Sequence, residues 1–412
     1  MATDTHAAAV LVPPVQFEEQ TWKPRAPELY SRAEVLRQTG RYRSTITPAI
    51  ADVQLHIPTA VAADAEDATR ALTDFDGYAQ RALGIDHPAL APMSAILLRT
   101  ESASSSQIEM LTTSARQLAL AEIEEGDTQN AGEVIGNVRA MEAALALSEH
   151  IDAASILDMH RELLRPSRSL GAHAGRFREE LVWIGKGNAG PREASFIAQQ
   201  HARVPGSIDD LVAFAGRADL PVIPHVAITH AQFETIHPFV DGNGRTGRAL
   251  AQSMLRNLGV TRHTTIPMSA GLLVNTETYF DALSAYREGD AGPIIARFAD
   301  ASRYAASSGR TLVDGLAGQL ERSRELLAGL RSQSRAWDVL PLLVGQPVVN
   351  ARYLKRVLGW GDMTVTRALD ALTERGVLVE RSGKRRNRVW EHRGILAVLD
   401  DYAEQIRRAT IG

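Results

Sequence analysis

The amino-acid sequence predicts a mainly α-helical protein that carries one small β-hairpin. Residues 57–150 are rich in Ala, Leu and Glu with apolar positions at helical spacing, and the pattern continues from 151 to about 310. One stretch interrupts it, "FREELVWIGKGNAGPREASFI" at 177–197, where "LVWIG" is β-prone and "GKGNAGP" is dense in turn residues. These observations favour a helical bundle with a hairpin, or flap, on it.

The composition is that of a globular protein and excludes several classes of function. The chain has 412 residues, of which 44% are hydrophobic and 23% charged, and its net charge is −4. The lack of cysteine excludes disulfides, cysteine zinc sites and thiol catalysis. No apolar run approaches the ~20 residues of a membrane helix, and the N-terminus has no basic leader. We therefore expect a cytoplasmic protein that does not engage a membrane.

Four consecutive segments are predicted along the chain. Residues 1–55 are rich in proline with little helical periodicity, so they are expected to form an arm over the body or to be partly disordered. An N-terminal helical region (56–150), a core (151–320) and a linker helix with a tail domain (321–412) follow. A long amphipathic helix is predicted across the boundary between the last two segments, at 309–335, where the sequence is "GRTLVDGLAGQLERSRELLAGLRSQSR".

The strongest functional signal is "HPFVDGNGRTGR" at 237–248. Upstream of it, apolar and histidine residues recur at steps of four, three and four, which predicts a helix that ends near Pro238. Downstream, "RTGRALAQSMLRNLG" predicts a second helix from about Arg245 to Gly259. The "GNGR" segment therefore lies at a helix N-terminus, where free N–H groups and the helix dipole favour an anion.

The side chains around this N-terminus suit a polyphosphate. Arg245 and Arg248 are three residues apart on one helical face, and two guanidiniums above such an N-terminus suit phosphate oxygens. Asp241 can hold Mg²⁺ against the phosphates, and His237 can accept a proton near pH 7. The spacing is not that of a P-loop, because Lys and Ser/Thr do not follow the last glycine. These groups predict phosphoryl or nucleotidyl transfer to a hydroxyl, with His237 as the base.

The stretch matches, at every defining position, the signature HxFx(D/E)GNGRxxR of the Fic family, and the chain resembles that family over roughly residues 50–320. The resemblance implies a Fic helical bundle that transfers AMP from ATP to a Tyr, Thr or Ser hydroxyl of a target protein. It further implies that His237 is the base, that Asp241 is the Mg²⁺ ligand and that Phe239 anchors the loop. The implied phosphate-binding residues are Gly242, Asn243, Gly244, Arg245 and Arg248, the last of these at the γ-phosphate.

Two other segments resemble parts of the same family. "AGRFR" (174–178) with the following "LVWIG" resembles the flap that receives the target segment as an added strand. Its docking residues would be Val182, Trp183, Ile184 and Gly185. "NTETYFDALSAYREGD" (275–290) resembles the segment that closes the adenosine pocket, with Tyr279 and Phe280 as candidates, and ordinary helix packing is the alternative for both.

"SASSSQIEM" (102–110) resembles the family's inhibitory motif (S/T)xxxE(G/N), with Ser105 and Glu109 at its defining positions. The resemblance implies that Glu109 pairs with Arg248 and so competes with the γ-phosphate for that guanidinium. Met110 stands where the motif has Gly or Asn, which leaves the strength of inhibition open. The alternative is a partly exposed helical glutamate without a regulatory role.

The tail from 348 to 392 resembles a winged helix-turn-helix. Two helices flank the turn "WGD", the second capped by Asp362, and "VLVERSGKRRNRVWE" predicts two strands around a basic turn with Lys384, Arg385 and Arg386. Residues 351–393 carry eleven Lys or Arg and five acids, a net charge of +6. DNA binding would place the second helix in the major groove and the wing on phosphates. Docking of another protein, or of a second copy of the chain, is the alternative.

Taken together, the sequence predicts an autoinhibited protein adenylyltransferase that uses ATP and Mg²⁺ on a target protein. The alternative is a nucleotide-sensing, DNA-binding regulator with weak or no transferase activity. DNA, through 351–393, and a second copy of the chain are further candidate partners. Removal of AMP, and transfer of UMP, phosphate or phosphocholine, are compatible with the same motif.

Overall fold

A computed structural model describes residues 9–83, 87–126, 129–187, 189–381 and 388–411, and most of them are helical. The chain forms two units, each assembled from three separate segments. The first unit comprises Met1–Asp67, Ala143–Asn257 and Glu277–Ala299. The second comprises Ala68–Glu142, Leu258–Thr276 and Asp300–Gly412. The predicted division into four consecutive segments stays a prediction.

Helices account for most of both units. In chain order they are α1 (Arg32–Gln38), α2 (Thr59–Leu83), α3 (Leu90–Ile108), α4 (Ala115–Glu122), α5 (Gln129–Ala146), α6 (Ala153–Leu164), α7 (Val204–Ala215), α8 (Val222–Ile236), α9 (Asn243–Asn257), α10 (Met268–Val274), α11 (Thr276–Glu288), α12 (Gly292–Leu326), α13 (Ala336–Gly345), α14 (Ala351–Leu358), α15 (Asp362–Glu374) and α16 (Arg393–Ile411). Among the described residues, no helix is both long enough and apolar enough to cross a membrane.

The strands form three small sheets. They are β1 (Gln16–Trp22), β2 (Gly40–Ile46), β3 (Trp183–Gly185), β4 (Ala194–Ile197), β5 (Val348–Asn350), β6 (Val379–Glu380) and β7 (Val389–Glu391). β1 pairs antiparallel with β2, β3 pairs antiparallel with β4, and β5, β7 and β6 form one sheet in that order.

The first unit is built around α8. From Ile223 to Ile236 every residue of this helix is buried, the polar ones as well as the apolar ones, so the helix lies in the interior of the unit. α7 and α9 pack against it. Gly247 allows the close approach of α8 and α9, because a Cβ there would lie 2.9 Å from Phe233 Cδ1 and 2.8 Å from Glu234 Oε1.

The N-terminal segment forms a hairpin that the sequence did not reveal. β1 pairs with β2 from Gln16↔Ile46 to Trp22↔Gly40, and α1 lies between the two strands. Ser31 caps α1 by accepting a hydrogen bond from the Glu34 N–H at 3.1 Å. The residues of β1 are exposed or half-buried, so the strand lacks the alternation by which a half-buried strand is recognised.

The second unit contains α3, which packs against α10 and α13. Two buried polar contacts fix its inner side. The Glu101 carboxylate accepts hydrogen bonds from the Ser269 N–H (2.8 Å) and hydroxyl (2.6 Å). Asn137 Nδ2 donates to the Ser102 carbonyl at 2.8 Å.

The long helix α12 is real, but its predicted bounds of 309–335 are wrong, since it runs from Gly292 to Leu326. Gly309, at which the predicted helix begins, lies inside α12, where it packs against another helix. A Cβ at Gly309 would lie 2.8 Å from the Phe75 ring.

The C-terminal elements follow the predicted order of helix, turn, helix and two strands. Asn350 caps α14 through the Tyr353 N–H at 2.8 Å, and Gly359 ends it with φ +67°. Asp362 is not the cap of α15, because Gly361 takes that position and the Asp362 carboxylate accepts from Lys355 Nζ at 2.6 Å. The basic turn, with Lys384, Arg385 and Arg386, lies outside the described residues.

Candidate active site

The signature loop connects α8 to α9 through two residues in the left-handed backbone region. His237 follows the end of α8 with φ 51° and ψ 63°. The proline at 238 disfavours the right-handed helical conformation for the residue before it, and a non-glycine residue in this region is often found at functional sites. Gly242 has φ +78°, and a Cβ there would lie 2.6 Å from Leu163 Cδ2. Both the backbone and the space around it require glycine at 242.

α9 begins at Asn243, two residues before the predicted start at Arg245. The first bond of the helix is donated by the Thr246 N–H to the Gly242 carbonyl at 3.0 Å. The N–H groups of Asn243 and Gly244 therefore belong to the first turn, where the helix supplies no intrahelical acceptor. This is the helix N-terminus at which the sequence predicts that an anion binds.

Asn243 closes the loop on itself. Its Oδ1 accepts from the Phe239 N–H at 2.8 Å and its Nδ2 donates to the Phe239 carbonyl at 2.9 Å. The Phe239 side chain is fully buried, as expected of an anchor. The Asn243 amide is thus committed to the loop, and its contribution to phosphate binding would come from the backbone.

His160, on α6, was not found by sequence reasoning, yet it supports the same loop. Its ring stacks on Phe239 with 3.6 Å between centroids. Its Nδ1 accepts from the Gly175 N–H at 3.1 Å, so the proton lies on Nε2, which donates to the Asp241 carbonyl at 3.1 Å. Burial lowers the pKa of His160 to about 4 and keeps this tautomer neutral. A lone histidine on a helix carries no sequence signal for such a role.

The charged residues of the motif lie at the start of α9. The Arg245 side chain is 4% exposed and its Nη2 lies 3.1 Å from Asp241 Oδ1, whereas the Asp241 side chain is 44% exposed. The same Oδ1 accepts from the Gly242 N–H. Arg248, one turn further on, is also buried. Burial above all, and then the charge of Arg248, lower the pKa of His230 on α8. Two buried cations and one accessible carboxylate therefore surround the helix N-terminus.

The His237 imidazole is oriented by the helix that precedes it. Its Nδ1 lies 3.3 Å from the Glu234 carbonyl, to which it donates, so Nε2 carries the lone pair. The side chain is 16% exposed. Burial above all, and then the charges of Arg287 and Arg178, lower the pKa of His237 to about 3. At neutral pH the imidazole is therefore unprotonated and able to accept a proton.

Arg178 ties the backbone of His237 to the flap, a role that sequence reasoning missed. Its guanidinium donates to three carbonyls: His237 O through Nε (2.8 Å), Glu180 O through Nη1 (2.7 Å) and Gln199 O through Nη2 (2.6 Å). Glu180 precedes β3 and Gln199 follows β4, so one side chain joins both ends of the hairpin to the signature loop. Arg178 is 3% exposed, and burial lowers its pKa to about 10, which leaves it charged at neutral pH.

Arg287, on α11, is a further cation beside the histidine. Its guanidinium lies 3.8 Å from the centroid of the Phe196 ring, on β4, and Phe196 meets the His237 ring edge-on at 6.4 Å. Nothing in the sequence motif points to this residue.

The predicted flap is a β-hairpin with the expected residues in its first strand. Trp183 pairs with Ile197 and Ile184 with Phe196, and the Val182 carbonyl extends the ladder by accepting from the Ala198 N–H at 3.1 Å. Gly185 has φ +112° at a bulge in the register. Within the described residues this sheet has two strands, so the edge of β3 away from β4 has no partner strand.

The N-terminal hairpin braces the flap. Trp22 packs edge-on against Trp183 at 5.4 Å between centroids, and its Nε1 donates to the Ala189 carbonyl at 2.8 Å. Thr45 Oγ1 donates to the Ile197 carbonyl of β4 at 3.1 Å. The segment predicted as an arm over the body, or as partly disordered, therefore contacts the hairpin that is expected to receive the target.

The two candidates for the adenosine pocket occupy different environments. Tyr279 is 1% exposed, and its hydroxyl forms a 2.8 Å hydrogen bond with His230 Nε2, which is the packing role named as the alternative. Phe280 is 52% exposed. A role of either residue at the adenine stays a prediction.

The inhibitory segment lies at the end of α3. Ser105 is fully buried, and Glu109 is the C-cap residue. Met110 follows with φ 64° and is 86% exposed. This left-handed position is the one that favours Gly or Asn after a helix, which explains why the motif has those residues there. Glu109 belongs to the second unit and Arg248 to the first, and their pairing stays a prediction.

Comparisons with known proteins place this helical core, with its loop at a helix N-terminus, beside one family. The family model described as "Fic/DOC family" matches residues 150–255, and "Fic/DOC family N-terminal" matches residues 62–146. Residues 62–146 and 150–255 thus correspond to the two matched regions of the Fic/DOC family.

Curated relatives and a solved structure are similar over parts of the chain. Protein adenylyltransferase fic-1 of Caenorhabditis briggsae is 29% identical over 196 residues, which is 46% of this chain and 34% of that protein. Protein adenylyltransferase Fic of Drosophila melanogaster is 30% identical over 173 residues, 41% of this chain and 32% of that protein. The chain thus spans about a third of the length of these relatives. A Fic family protein from Desulfovibrio desulfuricans G20 is 21% identical with a TM-score of 0.48, covering 82% of this chain and 97% of that one.

Proposed function

We propose that this protein is a protein adenylyltransferase that transfers AMP from ATP to a Tyr, Thr or Ser hydroxyl of a target protein. The observation that carries the proposal is the neutral His237 imidazole, with Nε2 available, beside a helix N-terminus that holds two buried arginines. The names of the similar adenylyltransferases support it. Transfer to protein requires a base for the hydroxyl and an anion site for the triphosphate, and the loop supplies both.

The triphosphate would bind at the start of α9. The backbone N–H groups of Asn243 and Gly244 and the guanidinium of Arg245 suit the α- and β-phosphates, with Arg248 one turn further along at the γ-phosphate. Because both arginines are buried, their charges act in a medium where water screens them weakly.

Mg²⁺ is the metal that this site suits, with Asp241 as its ligand. The Asp241 carboxylate is 44% exposed at the mouth of the loop. Among the described residues no group of three or more His, Cys, Asp or Glu side chains could hold a metal ion. Mg²⁺ is commonly bound by one or two carboxylates together with substrate phosphates rather than by an all-protein cage. When bound it neutralises phosphate charge, and the part played by Asp241 is to hold it there.

The chemical step is an in-line displacement at the α-phosphorus. His237 Nε2 accepts the proton of the target hydroxyl, the hydroxyl oxygen forms a bond to the α-phosphorus, and the bond from that phosphorus to the bridging oxygen breaks. Pyrophosphate leaves and AMP remains on the target. Arg178 keeps the His237 backbone in place while this occurs.

The target segment would pair with the open edge of β3. A groove of about 330 Å³ runs beside this strand and is lined by Trp22, Tyr30, Trp183 and Val240 among others. Val240 belongs to the signature loop, so a chain in the groove lies next to the catalytic residues. Strand addition would supply main-chain hydrogen bonds, and the aromatic lining would select side chains.

We propose autoinhibition through Glu109 as the regulation of this site. If Glu109 pairs with Arg248, the γ-phosphate loses its guanidinium and the α-phosphorus settles out of line for attack. Met110 supports inhibition of moderate strength, since a non-glycine residue pays about 1–2 kcal/mol for its left-handed backbone. That strain destabilises the end of α3, and so the conformation in which Glu109 would be held near Arg248.

The alternative, a DNA-binding regulator, receives less support from α15. The exposed charged residues of this helix are Asp362, Asp370 and Glu374 against Arg367. A helix with that charge would be repelled by a phosphate backbone. We therefore favour the transferase.

The test compares ATP labelled at the α-phosphorus with ATP labelled at the γ-phosphorus, using the full chain and a Glu109→Gly variant in a cell lysate. AMP transfer predicts stable label in protein from α-labelled ATP and none from γ-labelled ATP. Label from the γ-position would indicate phosphate transfer, and absence of label from both would contradict a transferase.

A further inference from the structure

A cavity of about 500 Å³ lies within the second unit between α3 and the C-terminal helix α16. α3 contributes one stripe of residues at helical spacing, which includes Ile96, Ala103, Ser104 and Gln107. α16 contributes a second stripe with Leu399, Tyr402, Ala403 and Ile406. Two helix faces of this kind normally pack against each other, and here they line a shared space.

The surrounding contacts hold this space open. α3 is fixed by the buried bonds of Glu101 to Ser269, and by Asn137 to the Ser102 carbonyl. α16 is fixed by its packing against α4 and α10, and by the buried Tyr402 hydroxyl, which lies 3.3 Å from Ser308 Oγ. Closing the cavity would break these bonds, at a cost of about 1–3 kcal/mol for each buried group left unpaired.

The size of the cavity is that of a ligand site. Protein interiors are close-packed and leave few voids larger than a water molecule. Small-molecule sites are typically about 300–1,000 Å³ and mostly apolar with a few polar groups, and this cavity fits both descriptions.

The lining selects an uncharged ligand. Its two arginines already have acidic neighbours: Arg99 Nη2 lies 3.7 Å from Glu122, and Arg407 Nη2 lies 2.6 Å from Glu404. Asp400 is exposed at the surface. The remaining polar lining consists of hydroxyl and amide side chains, among them Ser104, Gln107, Thr112 and Thr113. Such a lining can offer hydrogen bonds but no uncompensated buried charge.

We propose that this cavity binds an uncharged small molecule with an apolar body and one or two hydrogen-bonding groups, and that its occupancy strengthens autoinhibition. Ser104 and Gln107 are on the same helix as Ser105 and Glu109, so an occupant contacts the inhibitory helix directly. A ligand that binds only while α3 is in this position stabilises that position by mass action. The regulatory half rests on the proposed function, whereas the binding half does not.

The binding test uses N-phenyl-1-naphthylamine, an uncharged apolar fluorophore with one N–H. Ala403→Phe fills the cavity, and Ala397→Phe is the matched control on an exposed position of the same helix. We expect saturable fluorescence enhancement with the wild type and Ala397→Phe, and at least tenfold weaker binding by Ala403→Phe. No saturable binding to the wild type, or equal binding by Ala403→Phe, overturns the proposal.

Two further measurements keep the result unambiguous. Ala115→Leu closes the same cavity from α4, so it replaces Ala403→Phe if that variant unfolds below the assay temperature. The anionic probe 8-anilinonaphthalene-1-sulfonate should bind at least tenfold more weakly than the neutral probe, and equal or tighter binding contradicts an uncharged ligand.

The regulatory test measures labelled AMP incorporation with and without saturating N-phenyl-1-naphthylamine. Incorporation should fall several-fold in the wild type and remain unchanged in Glu109→Gly. Unchanged incorporation in a wild type that binds the probe overturns the regulatory half. A protein that binds the probe but never transfers AMP shows a failure of the proposed function and not of the site.

Discussion

Replacement of Arg178 by methionine should separate catalysis from ATP binding. The change keeps an unbranched apolar side chain but removes the donors to His237 O, Glu180 O and Gln199 O. Hydrogen bonds from a charged donor contribute about 1.5–3 kcal/mol each. Burial of the guanidinium opposes this stabilisation, because it lowers the pKa of Arg178 to about 10, a shift that corresponds to roughly 3 kcal/mol at about 1.4 kcal/mol per pKa unit.

The difference leaves about 1.5–6 kcal/mol of net stabilisation from Arg178, so the unfolding midpoint of Arg178→Met should fall by roughly 3–20 °C. Below that temperature, the backbone of His237 and both ends of the flap lose their common anchor. A displacement of about 1 Å at a catalytic group can cost roughly a hundredfold in rate. We therefore expect AMP transfer to fall about a hundredfold, with ATP affinity within about threefold, since the three carbonyls that Arg178 binds precede α9 in the chain.

The assay combines labelled AMP incorporation with calorimetric titration of ATP, at a temperature where each variant is folded. Arg176→Met, two positions earlier and exposed, is the matched control and should behave as the wild type. Arg178→Lys should be intermediate, because one ammonium cannot reproduce the planar fork that reaches three carbonyls. Equal losses of ATP affinity and of transfer in Arg178→Met would refute the positioning role.

Three further predictions follow from the same geometry. Glu109→Gly should raise AMP incorporation strongly, and adding Arg248→Ala should remove most of the gain; additive effects in this double-mutant cycle would contradict the pairing. Asp241→Ala should abolish the Mg²⁺-dependent activity, measured by metal titration after EDTA treatment, and undiminished activity of the wild type after EDTA would contradict a metal-assisted step. Burial lowers the pKa values of His160, His230 and His237 to about 4, 3 and 3, whereas the free side chain has a pKa of 6.5. Below pH 6.5 these histidines are therefore protonated in the unfolded protein before they are protonated in the folded one. The free energy of unfolding should decrease as the pH falls through this range. Between pH 7 and pH 5 this amounts to about 2 kcal/mol for each histidine, and a free energy of unfolding in urea that does not decrease over this range would contradict their buried, neutral state.

The signature loop could be predicted because its information is local. A helix end before proline, turn residues and a second helix with arginines three residues apart are all readable within twelve positions, and the structure differs only in starting α9 at Asn243. The β3–β4 hairpin was readable for the same reason, since β-prone residues flank a turn.

The supporting residues could not be predicted, because their contacts join distant parts of the chain. Arg178 and His237 are 59 positions apart, and His160 and Asp241 are 81 apart. A single arginine or histidine has no periodicity, so its partners become visible only in the fold. The N-terminal hairpin was missed because β1 has no buried face to give an alternating pattern.

The backbone conformation of Met110 explains why the family motif has Gly or Asn at that position. The sequence marks it as a departure from Gly or Asn, without a reason for that preference. Its backbone, with φ 64° at the end of α3, supplies the reason, since a side chain is disfavoured there.

The central claim is that His237 acts as the base in AMP transfer while other groups hold ATP. It is tested most directly by comparing Glu109→Gly with Glu109→Gly/His237→Ala in labelled AMP incorporation and in ATP binding. The account predicts that the second variant loses incorporation while its ATP affinity stays within about tenfold, because the phosphates contact backbone and arginines. Incorporation by Glu109→Gly/His237→Ala at the rate of Glu109→Gly would contradict the account.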